Sequence, residues 1–291
     1  VAKPKTIAIL TLALLLSLLS TISFFHPSAA TIEEVKWSKV NIPANGETGN
    51  WVLASGSNVR HLTMAADGTL YCYANPSATN YTLFKSTDGG YNWSNTGRVT
   101  DTIVAIAAAL GDASTIFYAT TSDVYKSADA GNSFTQLPPN PGGAGSNNIE
   151  ITDISVTRLD DKSIIAVSTR DSDSTEYGGV YILDENKSSV SWIDTSIGSY
   201  DACAVAFSPN FATDQQLVAM ATDETDTLIT TRIEDTEWDK VFGNAIITGL
   251  VPISAAIAFP DDFDATTPDY TLFVAIDSGS GAGDIYTVSV V

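Results

Sequence analysis

The side chains that do chemistry are unevenly supplied in this chain of 291 residues, where 34 are acidic, 14 are Lys or Arg, and there are only two His and two Cys. A nucleophilic triad needs a histidine-like base beside its nucleophile. His61, in Val59-Arg-His-Leu-Thr-Met64, is the one imidazole outside the apolar N-terminal stretch that ends near His26. One His and two distant Cys, Cys72 and Cys203, also fall short of a zinc set. His61 is therefore expected in a structural or channel-lining place on an alternating first strand, and the two cysteines as buried free thiols rather than a disulfide. Carboxylates remain. Glycoside hydrolysis needs two of them at a suitable separation, but among 34 acids spacing nominates no pair. The clusters Asp171-Ser-Asp-Ser-Thr-Glu176, Asp223-Glu-Thr-Asp226 and Asp261-Asp-Phe-Asp264 offer several oxygens on short loops, as a hard cation such as calcium requires. Asp171, Asp173, Glu176, Asp261, Asp262 and Asp264 are the candidate metal ligands. None of the clusters follows the twelve-residue EF-hand pattern, so the plainer reading is a loop kept soluble by charge. No other cofactor is expected.

A formal charge of −20 repels phosphate backbones and anionic lipid, which argues against nucleic acid and membrane surfaces as partners. The charge favours cations or basic partners instead. At the start, Lys3 and Lys5 precede an apolar run from Ile7 to Phe25 and then His26-Pro-Ser-Ala-Ala30, with small residues where a signal peptidase reads. Residues 1–30 are thus expected to be a secretory signal peptide or an N-terminal anchor, and residues 31–291 the working domain, extracellular or at the cell surface. Copies of the chain itself, or surface glycans and proteins, are the partners expected of such an exported domain. A membrane would be a partner only if the first segment is retained.

The elements that must position any site are strands. After residue 31 no long stretch repeats its apolar residues every 3.6 positions, whereas short Val/Ile/Leu/Tyr runs alternate with Gly, Asp, Asn and Ser throughout. Two segments repeat outright: Leu83-Phe-Lys-Ser-Thr-Asp-Gly-Gly-Tyr-Asn-Trp93 and Val124-Tyr-Lys-Ser-Ala-Asp-Ala-Gly-Asn-Ser-Phe134, 41 residues apart. Both read S-x-D-x-G-x-x-aromatic, through Ser86, Asp88, Gly90 and Trp93 in one and Ser127, Asp129, Gly131 and Phe134 in the other. On these residues the chain resembles the Asp-box (BNR) repeat β-propellers of the sialidase, sortilin and xyloglucanase kind. The resemblance implies an outer turn between the third and fourth strands of a blade, away from the central channel. In such a turn the aspartates accept backbone N–H bonds, the glycines supply positive φ and the aromatics pack between blades.

Weaker repeats extend the register. Ala204-Val-Ala-Phe-Ser-Pro-Asn-Phe211 parallels Ala256-Ile-Ala-Phe-Pro-Asp-Asp-Phe263, and second strands fall near Leu70, Ile116, Ile164, Leu217 and Leu272. Fourth strands open at Trp93, Phe134, Trp192 and Trp238, while the box has decayed to Asp184-Glu-Asn-Lys and Ile233-Glu-Asp-Thr in the third and fourth units. The fold class is all-β, a propeller of four-stranded antiparallel blades. Five blades are expected, with Val35–Ile42, led by Trp37, completing the last; a longer six- or seven-bladed ring is the alternative. Sialidases of the resembled fold hold their substrate with three arginines, and Arg60, Arg98, Arg158, Arg170 and Arg232 do not form that pattern. By elimination, together with export, a rigid disc-like fold and a polar Ser/Thr/Asp/Gly-rich exterior, the expected function is a secreted, non-catalytic cell-surface binding or structural module, such as a self-assembling subunit of an extracellular layer or filament. The alternative is a glycoside hydrolase, sialidase-like or β-glucan-cleaving, using carboxylates in the channel.

Overall fold

A computed structural model describes residues 58–75, 79–238, 245–260, 263–264, 271–279, 281 and 283–289. Five antiparallel sheets follow one another along the chain as the blades of a β-propeller. Blade 1 is β1 (Val59–Met64), β2 (Leu70–Ala74), β3 (Leu83–Ser86) and β4 (Ser94–Asn95); blade 2 is β5 (Ala105–Ala108), β6 (Ile116–Ala119), β7 (Val124–Ser127) and β8 (Thr135–Gln136). Blade 3 is β9 (Ile149–Leu159), β10 (Lys162–Asp171), β11 (Gly179–Asp184) and β12 (Trp192–Asp194). Blade 4 is β13 (Asp201–Phe207), β14 (Gln216–Thr222), β15 (Thr227–Ile233) and β16 (Ala245–Ile247). Blade 5 shows three strands among the described residues, β17 (Ser254–Ala258), β18 (Thr271–Asp277) and β19 (Asp284–Ser289). The expected closing strand Val35–Ile42 lies outside the described residues, as do Trp37, Asp261, Asp262 and the whole of residues 1–30. Among the described residues no helix is long and apolar enough to cross a membrane.

The second strands explain the arrangement. A sheet stacked between two neighbours is covered on both faces, so its middle strands read as continuous apolar runs rather than as an alternation. β2, β6 and β14 are accordingly buried almost throughout, and β10 is buried from Ser163 to Thr169. The buried side chains form seams. Phe117, Ile151, Ile165 and Leu183 join blades 2 and 3; Ala166, Val180, Val205 and Leu217 join blades 3 and 4; Val218, Met220, Leu272 and Val274 join blades 4 and 5. Tyr73, Leu83, Ile103 and Tyr118 do the same for blades 1 and 2. Each seam draws the first strands of consecutive blades side by side, β1 against β5, β5 against β9, β9 against β13 and β13 against β17. Those first strands surround a central hollow, and their starts form one of its mouths.

Candidate active site

The mouth at the starts of the first strands opens into a hollow of about 530 Å³, reached by His61 from β1, Glu150 and Asp153 from β9, Cys203 from β13, Ile253 just ahead of β17, and Arg170 from β10. Asp153 is placed there by an irregularity. Ser168 pairs with Asp153 and Thr169 with Ile151, so β9 carries an extra residue, Thr152, opposite β10. A bulge of this kind re-aims side chains. It lets Ile151 and Ile154, three apart, both pack into the seam with blade 2, while Thr152, Asp153 and Ser155 turn toward blade 4. There Thr152 Oγ1 donates to the carbonyl of Ala202 at 2.7 Å, Asp153 Oδ2 accepts the N–H of Val205 at 3.2 Å, and Ser155 Oγ accepts that of Phe207 at 3.0 Å. Asp153 Oδ1 accepts the N–H of Ile154 at 2.8 Å.

Two backbone N–H bonds favour the carboxylate of this half-buried side chain, but the water it loses between the blades outweighs them and pushes the Asp153 carboxyl up to about 7. A carboxyl poised there exists in both protonation states near neutrality, as a general acid or base needs. The other groups at the mouth are less reactive. Burial, reinforced by the neighbouring Arg60 charge, lowers the affinity of His61 for a proton, and its ring tilts against Tyr73 at 6.0 Å. Burial lifts the Cys203 thiol to about 12, which removes it as a nucleophile. Arg170 reaches over the mouth from blade 3 toward blade 5, its Nη1 donating to Ile253 O at 3.4 Å; among the described residues it is the one arginine lining the hollow.

The residues singled out in the sequence are distributed differently. Ser86, Asp88, Gly90 and Trp93, and Ser127, Asp129, Gly131 and Phe134, lie on the turns that follow β3 and β7, at the outer side of blades 1 and 2. Ser86 Oγ donates to Asp88 Oδ1 at 2.7 Å and accepts the Gly90 N–H at 2.9 Å; Ser127 does the same with Asp129 at 2.7 Å and Gly131 at 2.8 Å. Gly90 and Gly131 have φ of 92° and 81°. The Asp171–Glu176 cluster does not gather. Asp171 is buried at the end of β10, whereas Asp173 and Glu176 are exposed, and Asp173 accepts an amide hydrogen from Asn148 Nδ2 at 2.9 Å. Asp264 is half-buried. Among the described residues no group of three or more His, Cys, Asp or Glu is placed to hold a metal. Cys72 and Cys203 are both buried and free, Cys72 on the second strand of its blade and not on the innermost one.

Sequence inspection missed Asp153, although a signal was present. Ile149, Ile151 and Ile154 break the alternation of a strand by one residue, which is what a bulge does to a two-residue period.

No family model matches the chain, and no curated protein does. Solved structures do. A xyloglucanase from Xanthomonas campestris is similar at 14% identity and a TM-score of 0.47, over 74% of this chain and 36% of that one, so the chain spans about a third of that enzyme's length. An alpha-L-arabinanase from Penicillium chrysogenum is similar at 14% identity and a TM-score of 0.42, over 78% and 79%. An alpha-L-arabinofuranosidase of Fusarium graminearum is similar at 16% identity and a TM-score of 0.45, over 78% and 76%. The chain has the β-propeller fold. At these identities the likeness speaks for that fold alone. The expectations of a non-catalytic module and of a non-enzyme are nevertheless corrected here. The solved propellers this chain is similar to are mostly named as glycoside hydrolases, against the elimination on which those expectations rested.

Proposed function

We propose that this chain is an Asp-box β-propeller that hydrolyses glycosidic bonds at the mouth lined by β9 and β13, with Asp153 as the proton donor. One observation carries the reading: the Asp153 carboxyl is held at about 7 by burial, beside a hollow open enough to admit a sugar unit. Glycosidases pair such a raised acid with a second carboxylate, acting as base or nucleophile. Glu150 is the candidate for that role, exposed at the same mouth on the same strand. Asp153 would protonate the leaving oxygen, and Arg170 would hold a sugar hydroxyl across the opening. A formal charge of −20 favours neutral over anionic polysaccharides. The Asp-box assignment is supported by the matching bonds of the two outer turns. Residues 1–30 export the domain, which works outside the cell on surface or environmental glycans.

The test is turnover of neutral polysaccharides and their aryl glycosides, β-glucans and arabinans included. Asp153→Asn should lower kcat by about 10²–10⁴-fold with the fold intact, and the wild-type activity should fall as pH rises through about 7. Absence of turnover on every neutral glycan, or turnover that survives Asp153→Asn, overturns the reading.

A further inference from the structure

A second pair of carboxyls lies between blades 3 and 4, at the end of β10 and the start of β13. Asp171 and Asp201 are each only 3% exposed. Asp201 Oδ1 accepts two backbone N–H bonds, from Asp171 at 2.8 Å and from Gly178 at 2.9 Å, and so clasps the β10–β11 connection to blade 4. Asp171 Oδ1 accepts the N–H of Asp173 at 2.7 Å. Asp171 Oδ2 is fully buried and has no hydrogen-bond partner. A buried carboxylate oxygen without a donor is costly, and more so beside a second acid. The nearest cation in sequence, Arg170, has its guanidinium turned to Ile253 O on the far side of the mouth. The local donors bond one oxygen of each acid, and although the Arg170 charge acts on Asp201, it leaves Asp171 Oδ2 buried without a hydrogen-bond partner.

We propose that Asp171 and Asp201 are the two carboxylate ligands of a calcium site that clamps blade 3 to blade 4. Calcium takes oxygen ligands in a flexible geometry, and two carboxylates match its charge, with main-chain carbonyls and water completing the shell. Of the six acids singled out in the sequence as ligands, only Asp171 belongs to this pair, and Asp201, thirty residues on, was not among them. The site does not depend on the channel being catalytic. A saturable cation would stabilise the fold by mass action.

The experiment is thermal unfolding of the full chain at pH 7.5 and low salt, after chelation and then with calcium added, together with direct calorimetric titration of calcium. Wild type should gain about 5 °C when calcium exceeds its dissociation constant a hundredfold. Asp173→Asn, a change at an exposed neighbour, should keep that gain. Asp171→Asn should lose it, and should melt above wild type in chelator because the orphaned charge is gone. If Asp171→Asn does not fold, the titration decides: one saturable site in wild type and in Asp173→Asn supports the proposal, and no heat in either overturns it. A calcium gain that persists in Asp171→Asn also overturns it. So does a wild-type melting point that ignores calcium but rises on acidification in a manner Asp171→Asn abolishes, since the pair then shares a proton instead of a metal.

Discussion

Blades 1 and 2 tie their outer turns with a box of Ser, Asp and Gly, and blades 3 and 4 tie theirs with other parts. The position opposite the first apolar residue of the second strand makes the contrast plain. Ser86 stands opposite Leu70 and Ser127 opposite Ile116, whereas Asp184 stands opposite Ile164 and Arg232 opposite Leu217. Asp184 Oδ1 accepts the Asn186 N–H at 2.8 Å, and Arg232 Nε donates to Thr236 O at 2.9 Å, so each turn is still closed by the residue at that position. The seams differ in the same way. Blade 2's box turn offers carbonyls to blade 1, where Tyr71 Oη donates to Ala130 O at 2.9 Å and Thr96 Oγ1 to Gly131 O at 2.6 Å. In the next two seams an indole does that work: Trp192 Nε1 donates to Pro138 O at 2.7 Å and Trp238 Nε1 to Thr195 O at 3.0 Å. A blade must be stitched to its predecessor at the outer edge, and the box is one way of doing so. Where it is lost, a hollow of about 270 Å³ opens between blades 3 and 4, beside Asp184, Phe211 and Arg232.

The largest expected contrast is in pH response. Side-chain and backbone bonds from Ser133, then Ser127, hold the Asp129 carboxyl down to about 2, so it stabilises the fold at neutral pH and that contribution is lost as pH falls from about 4 through about 2. Asp153 acts oppositely. Its folded value of about 7 lies above the ordinary 3.8, so the folded state holds the proton more tightly and stability declines as pH rises from about 4 to about 7. Asp153→Asn should therefore raise stability at pH 8, by up to about 4 kcal/mol, and flatten the profile in that window. Asp129→Asn should weaken the protein at pH 7 and leave the alkaline side unchanged. Urea unfolding across pH checks both, and equal profiles for the two variants would erase the distinction.

Next come the glycines. A Cβ on Gly97, at φ +64°, would meet the Phe134 ring at 2.6 Å and Gly131 O at 3.0 Å, because the aromatic of the second box turn packs directly on the first blade's end. Gly97→Ala should cost about 2–4 kcal/mol from strain and clash together. Gly249, after β16 at φ +73°, has nothing within 4 Å, and Gly249→Ala should cost only about 1 kcal/mol for its backbone. Similar losses at both sites would show that the box turn is not the tighter joint.

Smaller effects separate the turn devices themselves. Ser127→Ala leaves the Gly131 N–H without its acceptor in a buried turn and should cost about 1–3 kcal/mol, against about 0.5–1.5 kcal/mol for Asp184→Ala, whose bond to Asn186 is exposed. Trp238→Phe should cost about 0.5–1.5 kcal/mol by removing one indole N–H bond across the seam with no change in denaturant dependence. A larger loss there would mean that the indole ring itself, and not its hydrogen bond, is the joint.

Much of this architecture was legible because it is local. The two boxes close through bonds spanning two to four residues, as from Ser86 to Asp88 and to Gly90, so their spacing is written in the chain. The second strands near Leu70, Ile116, Ile164, Leu217 and Leu272 announced themselves as apolar runs, since a strand buried on both faces needs no alternation. Adjacency in sequence says less about the acidic loops, where Asp171 is buried at the end of β10 while Asp173 and Glu176 stay exposed.

The sequence alone therefore determined the repeat, the strands and the turns, all of which depend on short-range periodicity and bonding. Only the tertiary structure decided which of the described acids are buried, and beside what. Asp153 owes its proton affinity to burial against β13, whose Val205 lies 52 residues away, and Asp171 meets Asp201 thirty positions on. A carboxyl's affinity for a proton or a cation is set by the water it loses and the charges that surround it. Both are fixed only when the blades stack.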